Sequence, residues 1–146
     1  MISKQEYFMN EALREAKKAL EEDEVPIGAI VVCNDRIIAR GYNQVELLHD
    51  VTAHAEMIAI TAAANALNSK YLINCELYIT VEPCMMCAAA IGWAQISKVI
   101  YATPDPKKGF SLFTPSPLHP KCIVEKGSLR AEAEKLLKDF FTSKRG

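Results

Sequence analysis

Apolar residues recur with a helical period at both ends of the chain. Ser3 and Glu6 have the spacing of a capping box, and after them apolar positions repeat on one face until the acidic run 21–24. Ser128 is placed to cap a last helix, in which one apolar stripe continues to Phe141. An amphipathic helix is therefore predicted at each end of the sequence.

The centre of the chain contains two strand patterns and one alanine-rich segment. Two runs rich in β-branched residues, 27–33 and 36–42, flank an Asn-Asp dipeptide and predict a hairpin. After a polar loop at 43–51, the segment 52–67 is too long and too rich in alanine for a strand. A mostly buried helix is predicted there.

A strand–helix–strand unit follows. Residues 75–81 have a strand pattern, Pro83 occupies the place of a first helical residue, and an apolar helix extends to 95 before a short strand at 98–102. Two strands joined through a helix run parallel, and a right-handed crossover places them side by side. The order of elements predicts an α/β fold.

The last third of the chain differs from the rest in proline content and charge. Residues 103–121 hold five of the seven prolines and predict a long loop, followed by a short strand at 123–125. Residues 1–106 carry 8 basic and 14 acidic side chains, whereas residues 107–146 carry 9 basic and 4 acidic ones. This asymmetry fits an anionic partner on the C-terminal side, and equally a solvated lysine-rich helix.

Composition limits the class of protein. A chain of 146 residues, half of them apolar and 24% charged, predicts one soluble globular domain spanning 1–146. Its apolar runs fall far short of the roughly 20 residues of a membrane span. Polar residues follow Met1 without an export signal, so we expect a cytoplasmic protein. Five cysteines, an odd number, argue against a disulfide framework.

Two cysteines and a histidine have the spacing of a metal site. Cys84 and Cys87 stand at i and i+3, so in the first turn of a helix both thiolates lie on one face and gain from the helix dipole. His54 lies one helix, one turn and one strand earlier, which returns the chain to the same sheet edge. One imidazole and two thiolates suit Zn²⁺, and three protein ligands leave a fourth position for a catalytic water.

Glu56 is the candidate proton carrier. In a helix interior it would face about 200° away from His54, so only at the first turn can both reach the metal. There it would take a proton from the water and deliver it to the substrate and its leaving group. Taken singly, the cysteines could be a redox pair and His54 a helix cap. Together, His-x-Glu and Pro-Cys-x-x-Cys are the signature of zinc deaminases of bases.

Four segments, TAHAEM, VEPCMMCAAAIGWAQI, EVPIGAIVV and GYN, carry a family resemblance that covers about Tyr7 to Phe141. They are similar to the bacterial tRNA-specific adenosine deaminases of the cytidine deaminase-like superfamily. The resemblance implies a three-layer α/β/α sandwich with a five-stranded mixed sheet, a homodimer and one zinc ion per chain. It also implies hydrolytic conversion of the wobble adenosine of a tRNA anticodon to inosine.

The resemblance also implies roles for individual residues. The zinc ligands would be His54, Cys84 and Cys87, and Glu56 would be the catalytic acid and base. Asn43 would hydrogen-bond the base together with the backbone of Ala55, and Asp105 falls beside the bound nucleotide. For Asn43, a turn-forming role at a strand end remains the alternative.

Two other functions remain open from the sequence. A deaminase of a free base or nucleoside, such as guanine or cytosine, would use the same zinc and glutamate. The basic C-terminal quarter and the family match in the first helix and strand favour a tRNA anticodon stem-loop as the substrate. A metal-dependent structural or RNA-binding module without activity could keep the cysteines but would have no need of Glu56.

Overall fold

A computed structural model describes residues 2–145, so the two terminal residues of the predicted domain 1–146 lie outside the described part. The chain alternates helices and strands in the order that the pattern predicts, with one added short helix. The helices are α1 (Lys4–Glu21), α2 (Val45–Leu48), α3 (Ala55–Leu67), α4 (Met85–Ala94) and α5 (Arg130–Arg145). The strands are β1 (Gly28–Cys33), β2 (Arg36–Tyr42), β3 (Cys75–Val81), β4 (Lys98–Thr103) and β5 (Ile123–Lys126).

The five strands form one mixed sheet in the order β2-β1-β3-β4-β5. β1 is antiparallel to both of its neighbours, whereas β3, β4 and β5 run parallel. Asn34 and Asp35, at φ 52° and 61°, make the tight turn between β1 and β2. The predicted hairpin and the parallel β3–α4–β4 crossover are both confirmed.

Helices cover both faces of this sheet, because its strands carry apolar side chains on both sides. Ile30 packs with Phe8 of α1 and Ala133 of α5 on one face. Its neighbour Val31 points the other way and joins Ala59 of α3 and residues of α4. The three-layer α/β/α sandwich is therefore confirmed.

Two predicted helix starts are wrong, and both errors lie at the N-terminal ends of the central helices. The helix predicted from Thr52 begins only at Ala55, because the Asp50 carboxylate binds the amide and hydroxyl of Thr52 in a turn. α3 is also buried along one face rather than on most sides. Pro83 is not the first residue of α4, since Cys84 is still extended at φ −74°, ψ 176° and caps the helix.

Two further predictions about the connections are corrected. The polar loop 43–51 contains the short helix α2, and the Glu24 carboxylate accepts hydrogen bonds from the Glu46 and Leu47 amides in its first turn. Ser128 does not cap α5, because its hydroxyl donates to Gln5 across the fold and the helix begins at Arg130.

The predicted loop 103–121 is regular only in one 3₁₀ turn, Phe110–Leu112, whose first side chain is buried in the core. Among residues 2–145, no helix combines the length and the apolar character needed to cross a membrane.

Candidate metal centre and pocket

The candidate metal ligands meet at one edge of the sheet because the strands that precede them end there. β2 and β3 are both antiparallel to β1, so their C-terminal ends lie at the same edge. α3 follows β2 and α4 follows β3, and both helices therefore begin at that edge. His54 is the N-cap of α3, Cys84 is the N-cap of α4, and Cys87 lies in the first turn of α4.

The three side chains fit a tetrahedral zinc ion. His54 Nδ1 lies 3.7 Å from Cys84 Sγ and 3.4 Å from Cys87 Sγ, and all three donor atoms lie within 4.8 Å of one another. With bonds of about 2.3 Å to sulfur and about 2.05 Å to nitrogen, tetrahedral geometry separates nitrogen from sulfur by about 3.5 Å. The donor set and its spacing therefore match Zn²⁺ with one coordination position left free.

Electrostatics within the triad favour a cation. Hydrogen bonds from the Cys87 thiol and the His54 imidazole lower the pKa of Cys84 to about 4. The Cys84 thiolate, together with burial, raises the pKa of Cys87 well above its usual value. One proton is thus held between two sulfurs at the N-terminus of α4, next to the His54 N-cap of α3. A bound divalent cation would replace that proton and hold both sulfurs as thiolates.

Glu56 lies in the first turn of α3, two residues after the candidate metal ligand His54. His54 is the N-cap residue and its backbone is extended, at φ −74°, ψ 154°. The separation of about 200° between His54 and Glu56 that a helix interior would impose therefore does not apply. The carboxyl is 4% exposed, and burial raises its pKa to about 7. A carboxyl group with a pKa near neutrality can both accept and donate a proton.

Asn43 and Ala55, the two residues expected to contact the base, are brought together and bind each other. Asn43 follows β2, is 8% exposed, and its Oδ1 accepts the Ala55 N–H at 2.8 Å. The Ala55 amide is therefore already bound within the protein. The Asn43 Nδ2 group is the donor that remains for a ligand.

A cavity of about 850 Å³ opens beside Asn43 and His54. Asn43 and His54 form part of its wall, and the end of α5 contributes Phe140 and Lys144. Acidic residues dominate the rest of the wall, namely Glu22, Asp23, Glu24 and Glu46. Lys144 Nζ binds Asp23 at 2.6 Å and so joins α5 to the α1–β1 connection at the cavity.

Asp105 organises its own loop. Its carboxylate accepts the amides of Lys107 and Lys108 at 3.0 and 3.1 Å, and its carbonyl accepts the Gly109 amide. These bonds make a turn that displays the two exposed lysines. The contact of Asp105 with a nucleotide stays a prediction.

Sequence reasoning missed two buried glutamates beside the site. Glu24 and Glu82 are 2% and 4% exposed, and each carboxylate binds two backbone amides of a segment that follows a strand. Both lie inside motifs that the sequence analysis singled out, EVPIG and VEPC. A glutamate close before a proline was the available signal, although sequence alone does not show which amides it binds.

Comparison with known proteins gives consistent results. The family described as cytidine and deoxycytidylate deaminase zinc-binding region matches residues 2–103. The tRNA-specific adenosine deaminase of Aquifex aeolicus (strain VF5) is 48% identical over 141 residues, covering 93% of each chain. A solved structure from studies of A-to-I editing by tRNA:A34 deaminases at the wobble position of transfer RNA has a TM-score of 0.84. It is 43% identical, and the match covers 90% of this chain and 99% of that chain.

A guanine deaminase is also similar, but over a shorter part. The structure of guanine deaminase from Bacillus subtilis has a TM-score of 0.65 and is 40% identical, over 68% of this chain and 64% of that chain. The similarity to this guanine deaminase therefore extends over only about two thirds of each chain.

Cys87→Ala should abolish stoichiometric metal binding. The purified wild-type protein is expected to carry about one zinc per chain, because three donors converge at zinc distances. Removing one of them should leave less than about a tenth of that amount, measured by elemental analysis after dialysis against a chelator. Cys122→Ala serves as the matched control and should retain zinc. The Cys122 thiol lies near the start of β4, at the end of the sheet away from the candidate site. Full zinc content in Cys87→Ala would remove that residue from the site.

Proposed function

Because this chain belongs to the tRNA-specific adenosine deaminases, within the cytidine and deoxycytidylate deaminase zinc-binding family, we propose that it converts the wobble adenosine of a tRNA anticodon to inosine. The observation that carries the proposal is Glu56, a buried carboxyl with a pKa of about 7 next to a zinc-type triad. A purely structural metal module would gain nothing from burying an ionisable group at that place.

The residues of the site divide the chemistry among them. His54, Cys84 and Cys87 would hold zinc, which supplies a water of lowered pKa as the nucleophile. Glu56 accepts a proton from the attacking water and donates it to the adenine ring as the C6–O bond forms. It then transfers the second proton to the amino group, which departs as ammonia. Water and adenosine thus yield inosine and ammonia.

Asn43 is the proposed base-binding residue. With Oδ1 bound to Ala55, its Nδ2 group donates toward the cavity and fixes the orientation of the base. Asp105 and the two lysines of its turn are placed on the loop beside Cys84, where they would contact the nucleotide and its phosphates. An anticodon base must be splayed out of its loop to enter such a cavity.

We further infer a homodimer in the cytoplasm. The outer side of the α3–α4 layer exposes large apolar side chains, including Trp93 at 82% and Met85 at 37%, and Val51 before α3 is 81% exposed. Apolar side chains exposed in this way are typical of a subunit interface.

The cytoplasmic location is supported by the cysteines. All five are free thiols, which fits a reducing compartment.

Glu56→Gln should separate catalysis from metal binding. The amide fills the same space but cannot shuttle a proton, so the rate of inosine formation is expected to fall at least about 10² to 10⁴-fold, as is typical when an acid/base group is removed. Zinc content and the midpoint of thermal unfolding should stay close to those of the wild type. Near-normal turnover of this variant would refute the assigned role.

Asn43→Asp should distinguish base binding from turn formation. It keeps the oxygen that accepts the Ala55 N–H at a helix N-terminus, but it replaces the donor by an acceptor. We expect stability in urea within about 1 kcal/mol of the wild type and a loss of roughly 10²-fold in activity. Asn43→Ala should lose activity, and its free energy of unfolding should fall by about 1–3 kcal/mol, because the buried Ala55 N–H is left unpaired. If Asn43→Asp keeps wild-type activity, base binding by Asn43 is excluded and only its role in the turn remains.

Anticodon stem-loop RNA should be a far better substrate than any free base or nucleoside. Inosine formation in a panel of stem-loops is to be compared with deamination of free adenosine, guanine and cytosine at equal enzyme concentration. The alternative is a zinc-dependent deaminase of a free base or nucleoside, and the partial match to the Bacillus subtilis enzyme points to guanine among these. Faster turnover of guanine or cytosine than of every stem-loop would establish that alternative.

The salt dependence of stem-loop binding tests whether Lys107 and Lys108 bind phosphates of the RNA. Replacing Lys107 and Lys108 by Gln should weaken binding and lower the salt slope by about 0.7 to 0.9 for each phosphate that the variant no longer binds. Lys17 and Lys70, also exposed but outside the turn that Asp105 organises, are the matched pair and should leave the slope unchanged. Equal slopes for both double variants would exclude the loop as a phosphate-binding element.

A further inference from the structure

Glu82 joins two parts of the molecule that the proposed reaction uses separately. It follows β3, two residues before Cys84, and is 4% exposed. Its Oε1 accepts the Asp105 amide at 3.0 Å and its Oε2 accepts the Ser111 amide at 2.9 Å. One carboxylate therefore binds both ends of the segment 105–111.

Backbone contacts attach the same segment to the start of α4. The Phe110 amide donates to the Pro83 carbonyl at 2.9 Å, and Gly109 pairs with Cys84 in an isolated β-bridge. The approach is so close that a Cβ on Gly109 would overlap the carboxylate of Glu82. A glycine is required there because the carboxylate occupies the space of a side chain.

The segment has little other regular structure to hold it. Apart from the Asp105 turn and the one 3₁₀ turn, residues 103–121 form no helix and extend no strand beyond the end of β4. Bonds from amides to a buried carboxylate are stronger than those between neutral groups, and leaving such amides unpaired is costly. Glu82 and the buried ring of Phe110 are thus the two side chains that anchor the segment presenting Asp105, Lys107 and Lys108, and Glu82 is the one that binds both of its ends.

We propose that Glu82 is a positioning residue that sets how tightly the polynucleotide is held, without taking part in proton transfer. The inference rests on the proposed function, since it assigns Glu82 to the same reaction. Glu56 and the three metal ligands are positioned by α3 and α4, whereas Glu82 fixes the loop that flanks the bound nucleotide. Weakening the anchor lowers the fraction of molecules whose loop is ready to bind, and KM rises in inverse proportion to that fraction.

The test compares Glu82→Gln and Glu82→Ala with the wild type on a stem-loop substrate. Gln keeps the volume and one acceptor, so KM should rise in the order wild type, Gln, Ala, reaching about tenfold for Ala if a tenth of the loops remain ordered. The kcat at saturation and the zinc content should change less than about threefold, because proton transfer is untouched. Amide exchange measured by NMR should become faster at Asp105 and Ser111.

Glu11→Gln is the matched control, because Glu11 is also buried, at 7% exposed, but binds Arg14 and Arg40 rather than the loop. It should leave KM and both loop amides unchanged, whatever its effect on stability. Gly109→Ala, which displaces the carboxylate sterically, should reproduce the KM increase of Glu82→Gln.

The outcomes separate this inference from the proposed function. If the wild type forms inosine and the Glu82 variants keep its KM, the positioning role is wrong. A fall in kcat with an unchanged KM would also overturn it and would indicate a role in the chemistry. If the wild type forms no inosine in any stem-loop, the proposed function fails, and unchanged exchange at Asp105 and Ser111 in Glu82→Ala would then refute the anchor on its own.

Discussion

The convergence of two helix N-termini at one edge of the sheet is the constraint on which the rest of the site depends. It follows from strand direction, because β2 and β3 end at the same edge and each is followed by a helix. Two partial positive charges then face one point and stabilise thiolates there. Burial acts in the opposite direction on the carboxyl of Glu56 and favours its protonated form. His54, Cys84 and Glu56 all owe their chemistry to that edge.

Two buried carboxylates fix irregular segments close to the triad. Glu24 binds the first turn of α2, shortly after Asn43, and Glu82 binds the loop that carries Asp105. Burying a carboxylate is unfavourable unless its oxygens are hydrogen-bonded, and here each receives two backbone amides. Irregular segments, which have little regular structure of their own, thereby gain a fixed position relative to the candidate metal ligands.

Charge on the surface is arranged less simply than the uneven sequence composition suggests. Basic residues are concentrated after Lys107, yet Lys144 is paired with Asp23, and the cavity wall near them is acidic. Exposed pairs of this kind contribute little to the stability of the fold. The loop that displays Lys107 and Lys108 pairs with the candidate metal ligand Cys84, through its bridge to Gly109.

The sequence by itself determined the α/β order, the hairpin, the crossover and the pairing of His54 with the two cysteines, because periodicity and spacing are local properties that directly limit backbone geometry. Helix starts were predicted less well, since the turn at Asp50 competes with the helix and the extended Cys84 pairs with a residue distant in sequence. Only the tertiary structure decided that Asn43 binds Ala55 and that Glu82 binds the loop 105–111. A carboxylate or amide finds its partners by through-space contact, and such contacts exist only once the strands have brought remote segments together.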